Sequence, residues 1–163
     1  TRGATDSQSG VFQIFDTVSM SKEISAAKEK ADFVIAYVHW GVESTTNLTD
    51  GQKSMGKAFV DAGADAVIGM HSHCMQGVEY YKGKLIAYSL GNFVFSSFKL
   101  TCAMLKLSID KNGNIINTFY PMMQEDNFTY INSGENGKKQ LESLKNLSIN
   151  TVISDDYVLT ELK

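Results

Sequence analysis

The sequence predicts a mixed α/β protein, and three observations carry that reading. Apolar runs suited to buried strands alternate with helical patterns in the first half of the chain. Turn signals at Lys82-Gly83 and Asn112-Gly113 then each join a pair of strand-like segments into a hairpin. The composition, 163 residues with 43% hydrophobic and 20% charged, is that of an ordinary globular chain able to bury one proper core.

The opening "TRGATDSQSG" is polar, and residues 1–16 read as a flexible lead-in with a first extended segment. It lacks an initiator Met and resembles a cut inside a longer chain. Ser19 and Ser21 are candidate N-caps for a helix through "SKEISAAKEKA", where Ile24, Ala27 and Ala31 fall at near-helical spacing. "DFVIAYV" follows as an unbroken apolar, β-branched and aromatic run, the pattern of a strand buried on both faces. Thr49 or Asp50 caps the next helix; Met55, Phe59 and Val60 form its apolar face and Gly63 stops it. "ADAVIGM" is the second strand.

Strands at 32–39 and 65–70 should therefore be parallel neighbours in a βαβ unit. Antiparallel hairpins about Gly83 and Gly113 follow, and Leu141, Leu144 and Leu147 mark a helix near the end. Phe33, Ile35, Val67, Ile68, Leu90 and Phe93 are the expected buried residues.

Charge and hydropathy exclude some functions. A formal net charge of -3 gives no basic footprint for nucleic acid or an anionic membrane. No apolar run reaches the ~20 residues that span a bilayer, and nothing at the start resembles a signal peptide. Cys74 and Cys102 are too few for a disulfide framework.

The chain has 3 histidines, and all stand at strand ends: His39 closes the first apolar run, and His71 and His73 follow the second. Ligands collect outside the carboxyl ends of the strands in open α/β sheets. An i, i+2 pair in extended chain also points both rings the same way. The three imidazoles are thus candidate ligands for zinc, manganese or iron, within about 12 Å of one another if they share a site. Glu43 reads as a base, an anchor for a histidine, or a solvated charge. Asn92, in "SLGNF", reads as a pocket polar group or part of a plain turn. Trp40 walls the pocket or sits in the core. Asp61 and Asp65 read as caps and surface charges.

"ADFVIAYVHWGVE" and "GADAVIGMHSHCMQGVEYYKGKLIAYSLGNFVF" closely resemble the C-terminal half of the poly-γ-glutamate capsule biosynthesis (CapA-type) family. The resemblance implies the C-terminal portion of a metallophosphoesterase-like β-sandwich flanked by helices, ending in antiparallel hairpins. It implies a half-domain over 17–125 and a C-terminal helical extension over 126–163. By the same resemblance His39, His71 and His73 are metal ligands, while Glu43 and Asn92 orient ligands or substrate. Met70 stands where the family commonly has a further histidine.

The family's Gly-Asp and Asn-His ligand motifs do not occur before residue 32. The chain is therefore expected to hold the histidine half of a two-metal site and to be inactive alone. The parent would hydrolyse a phosphoester or a γ-glutamyl linkage, or serve as a non-catalytic part of a polymer synthesis or export complex. The resemblance further implies an extracellular or cell-surface location, anchored through a segment not present here. Expected partners are the missing N-terminal half, membrane-bound synthesis or export proteins, and a second copy of the fragment.

Overall fold

In the computed structural model, which describes residues 3–5, 7–13, 16–95 and 98–162, the first helix begins at Asp16. Its carboxylate accepts the Ser19 amide at 3.0 Å and opens α1 (Thr17–Lys28). The expected serine caps lie inside the helix instead. An ionised oxygen at the N-terminus satisfies a free amide and also opposes the helix dipole. α2 (Asp50–Asp61) starts as expected at Thr49 with a full capping box: Thr49 Oγ1 accepts Gln52 N, and Gln52 Oε1 accepts Thr49 N, both at 3.1 Å. Gly63, at φ +112°, ends that turn in a conformation other residues rarely take.

Two sheets follow from the pattern of strands. The first contains β1 (Ile35–His39), β2 (Ala66–Met70), β3 (Val78–Tyr81) and β4 (Lys84–Ala87), in the order β1-β2-β4-β3. β1 and β2 are parallel neighbours, registered from Ile35 opposite Ala66 to His39 opposite Met70. β3 and β4 form the hairpin about Gly83, where Lys82 and Gly83 both take positive φ, as a two-residue type I′ turn requires.

The second sheet contains β5 (Leu100–Ile109), β6 (Ile115–Glu125), β7 (Phe128–Ile131), β8 (Thr151–Ile153) and β9 (Val158–Glu161). Its order is β5-β6-β9-β8, with β7 also paired to β6. The hairpin about Gly113 joins β5 to β6. Residues 126–163, expected as a helical extension, supply α3 (Gly134–Leu147) and also three strands of this sheet.

The first sheet divides two apolar layers. Ala36, Val38 and Val67 pack with Ile24 of α1 and Phe59 of α2 on one face. Ala66, Ile68 and Leu85 pack with Ala103, Phe119 and Leu159 of the second sheet, and Leu141 and Leu144 of α3 join them. The result is helices on a sheet on a sheet.

β1 departs from expectation. Among the described residues it is the terminal strand of its sheet, and its burial alternates rather than being continuous. Ile35 is 46% exposed and Tyr37 65%, although they lie opposite Ala66 and Ile68 of the inter-sheet core. Phe93 is likewise 49% exposed, whereas Val67 and Ile68 are buried. Phe33 and Leu90 are half-buried against the core between the sheets. A run of apolar letters records side-chain type, not whether a neighbouring layer covers both faces.

Candidate functional site

β1 and β2 run parallel in register, so their carboxyl ends stand side by side and bring His39 next to His71. The two ring centroids are 4.3 Å apart, and those of His71 and His73 are 6.2 Å apart. The two steps together stay inside the span of about 12 Å that a shared site allows. All three rings line one cleft of about 440 Å³, together with Tyr37, Asn92 and Met104. Asp, Glu, Lys and Arg are absent from its described lining. A larger groove of about 740 Å³ runs along α1 and α2, and its described walls hold no histidine or cysteine.

The strand-end convergence is as the sequence suggested, but the local backbone of the histidine pair is not. His71 and His73 are not in extended chain; they take φ of +107° and +59°. Left-handed backbone at residues other than glycine costs about 1–3 kcal/mol each and persists only where surrounding contacts over-determine it.

Those contacts are present. Trp40 N donates to Met70 O at 3.0 Å, Ser44 N to Ser72 O at 2.8 Å, and Gln76 N to Ser89 O at 3.1 Å. Ser72 Oγ closes the turn onto Cys74 O at 2.8 Å. Gly69 lets the Trp40 indole lie against the strand, because a Cβ there would strike both the indole nitrogen and Tyr88 O. Trp40 Nε1 donates to that same carbonyl at 2.8 Å. Trp40 is therefore a core residue, 3% exposed, and walls nothing.

Asn92 lies beside His73. Its amide oxygen faces His73 Nδ1 at 2.8 Å. An amide oxygen can only accept, so in the neutral ring this contact favours the tautomer with the proton on Nδ1 and the lone pair on Nε2. That is the arrangement in which a neighbouring carbonyl fixes the tautomer of a ligating histidine. Asn92 is held by the turn at Gly91, φ +74°, and by the bond from Ala103 N to Leu90 O at 2.8 Å, which stitches β5 to this loop. On the outer side, the Phe95 ring rests 4.7 Å from that of His73.

Glu43 is placed differently. It is exposed in the loop after β1, is not among the residues lining the cleft, and makes no hydrogen bond or ion pair among the described residues. Cys74 and Cys102 are both free thiols, and burial pushes Cys102 up to about 11. Asp65, read as a surface charge, is 7% exposed; it accepts from Lys28 and Lys84 at 2.7 and 2.8 Å and from Val34 N at 2.9 Å.

The donor set fits a transition metal in kind. Two imidazoles on one tetrahedral zinc, with Zn–N of ~2.0 Å, hold their ring centroids about 5 Å apart. The observed separations of 4.3 and 6.2 Å bracket that value. The nitrogens do not converge as they stand: among the described residues no group of three or more His, Cys, Asp or Glu side chains is arranged to hold an ion. A metal would have to reorient the rings so that their nitrogens converge.

The family model for the bacterial capsule synthesis protein PGA_cap matches residues 2–97, more than half of the chain. The chain belongs to this family.

The matched span carries His39, Glu43, His71, His73 and Asn92. Among curated relatives, the PGA biosynthesis protein CapA of Bacillus subtilis (strain 168) is 41% identical over 93 residues, 55% of this chain and 24% of that protein. The capsule biosynthesis protein CapA of Bacillus anthracis is 36% identical over 126 residues, 73% of this chain and 30% of that protein. A probable polyglutamine synthesis accessory protein of Mycobacterium tuberculosis (strain CDC 1551 / Oshkosh) is 29% identical over 107 residues, 60% of this chain and 28% of that protein. The chain thus spans less than a third of the length of each of these relatives.

Sequence reasoning missed one group of residues at this site. Gln52 and Gln76 are 0% and 1% exposed, and Gln52 Nε2 donates to Gln76 Oε1 at 2.9 Å. The pattern Thr49-x-x-Gln52 could have flagged Gln52 as a capping-box member. Gln76 carries no local signal, because its partners come from distant segments.

Proposed function

We propose that this chain supplies the histidine wall of a divalent-metal hydrolase site in a longer capsule-biosynthesis protein. Its substrate would carry a phosphoester or a γ-glutamyl polymer linkage. The observation that carries this reading is the clustering of His39, His71 and His73 in one cleft, on backbone that is strained at His71 and His73. A bound zinc, manganese or iron ion would supply Lewis acidity to the scissile group. His39, His71 and His73 would hold it, Asn92 would keep His73 Nε2 available, and Phe93 and Val94 would shield the cleft from water.

The open flank of the fold supports the half-site reading. β1 has no partner on its outer edge among the described residues, and Ile35 and Tyr37 stand bare on its inner face. Further β-structure, contributed by the rest of the parent chain, would cover both and bring carboxylates toward the histidines. The parent would lie at the cell surface, anchored by a segment outside this chain, beside membrane-bound polymer synthesis or export proteins.

A second reading is favoured by one observation, the lack of any carboxylate on the described cleft walls. In that reading the parent is a non-catalytic component of the polymer assembly. Metal analysis of the purified parent, with turnover of a generic phosphodiester and of a γ-glutamyl peptide, separates the two. Stoichiometric metal and histidine-dependent turnover support the hydrolase. A metal-free, inert parent sinks it.

A further inference from the structure

The strained turn at His71–His73 and the loop after His39 are pinned by a buried amide pair that no catalytic reading of the site requires. Gln76 Oε1 accepts from Gln52 Nε2 at 2.9 Å, and Gln76 Nε2 donates to Thr45 O at 3.1 Å and Asn47 O at 3.3 Å. Gln52 Oε1 in turn accepts from Thr49 N at 3.1 Å. Three separate segments meet there: the N-terminus of α2, the loop from Gly41 to Thr49, and the turn carrying His71 and His73.

Neither amide reaches water, so each is held in one orientation by partners that leave none of its polar atoms orphaned. Gly41 fits only because it lacks a side chain, since a Cβ would come within 2.8 Å of Gln52 Nε2. The loop cannot swing as a lid without breaking this relay.

We propose that Gln76, with Gln52 behind it, is a positioning residue for the histidine cluster. It locks the loop that leaves His39 onto the turn that carries His71 and His73, and so holds the two left-handed residues in place. The role concerns ring placement in the chain as it stands and holds whether or not the histidines take a metal.

The test compares Gln76→Leu and Gln76→Glu with Asn117→Ala. Asn117 is a buried amide bonded to Tyr80 Oη at 2.7 Å, and it lies in the second sheet. NMR reads two signals that general destabilisation does not move: the ring-to-ring NOE between His39 and His71, and exchange of the Ser44 amide bonded to Ser72 O. Gln76→Leu should lose the NOE and speed Ser44 exchange roughly tenfold relative to global unfolding, about the loss of one buried hydrogen bond. Gln76→Glu keeps the acceptor for Gln52 but turns an acceptor oxygen toward Thr45 O and Asn47 O, and should do the same. Asn117→Ala should lower the melting temperature and leave both signals intact. If Gln76→Leu does not fold, Gln76→Glu decides alone. Retention of the NOE and of Ser44 protection in the folded Gln76 variants, or their equal loss in Asn117→Ala, overturns the proposal.

Discussion

His73 shows how much of a site's chemistry one neighbour can set. With Asn92 oxygen 2.8 Å from Nδ1, the neutral imidazole favours the tautomer that leaves Nε2 bare. Asn92→Ala should remove that preference and shift the His73 ring nitrogens toward a mixed tautomer in ¹⁵N spectra, with His71 unchanged. Gly69 gives a second residue-level expectation. A methyl group there meets the Trp40 indole and the Tyr88 carbonyl, and the carbonyl is backbone that cannot rotate away. Gly69→Ala should cost about 3 kcal/mol, the upper end for overpacking a core, measured by urea unfolding. The histidines were legible in the sequence because imidazole at a strand end is a chemical signal by itself, and Asn92 through its place in "SLGNF" and then a family resemblance. Gln76 was not legible, because what makes it important is a set of carbonyls contributed thirty residues away by a loop without regular structure.

At the scale of elements, Asp65 joins α1 to the first sheet. Burial alone would raise its pKa, but hydrogen bonds from Lys28, Lys84 and the Val34 amide outweigh that and hold it below the ordinary 3.8. A depressed folded value means stability that is present above 3.8 and is lost as pH falls through the folded value. Asp65→Asn should therefore lose about 1 kcal/mol at neutral pH, because both lysine heads are over a third exposed, and should flatten the acid limb of a stability-versus-pH curve. An unchanged acid limb would contradict this. The sequence placed Asp65 beside a helix end and so suggested a cap. Its lysine partners, 37 and 19 residues away, are set by tertiary structure alone. The element order and the parallel βαβ pairing were legible because turn residues and apolar runs are local signals. The one-sided burial of β1 was not, because it depends on which layers pack against that strand.

For the whole molecule, the open flank at β1 predicts association. An edge strand unpaired on its outer side among the described residues, with Ile35 and Tyr37 exposed on its inner face, is a template for further pairing. The wild-type chain should sediment as a concentration-dependent oligomer, and Tyr37→Lys should shift it toward monomer without altering its circular dichroism. A bimetallic hydrolase loses its geometry when its bridging carboxylates are absent. If the parent is the proposed two-metal hydrolase, the chain alone should show almost no metal-dependent turnover of phosphodiesters.

The central claim is that the clustered histidines take a divalent transition metal, and calorimetric titration of zinc or manganese tests it most directly. Wild type and His71→Ala/His73→Ala are titrated under the same conditions, with circular dichroism confirming that both are folded. Wild type should bind one ion weakly, its affinity limited by the lack of carboxylates on the described cleft walls, and the double variant should show no saturable binding. Equal affinity in the two proteins would contradict the claim.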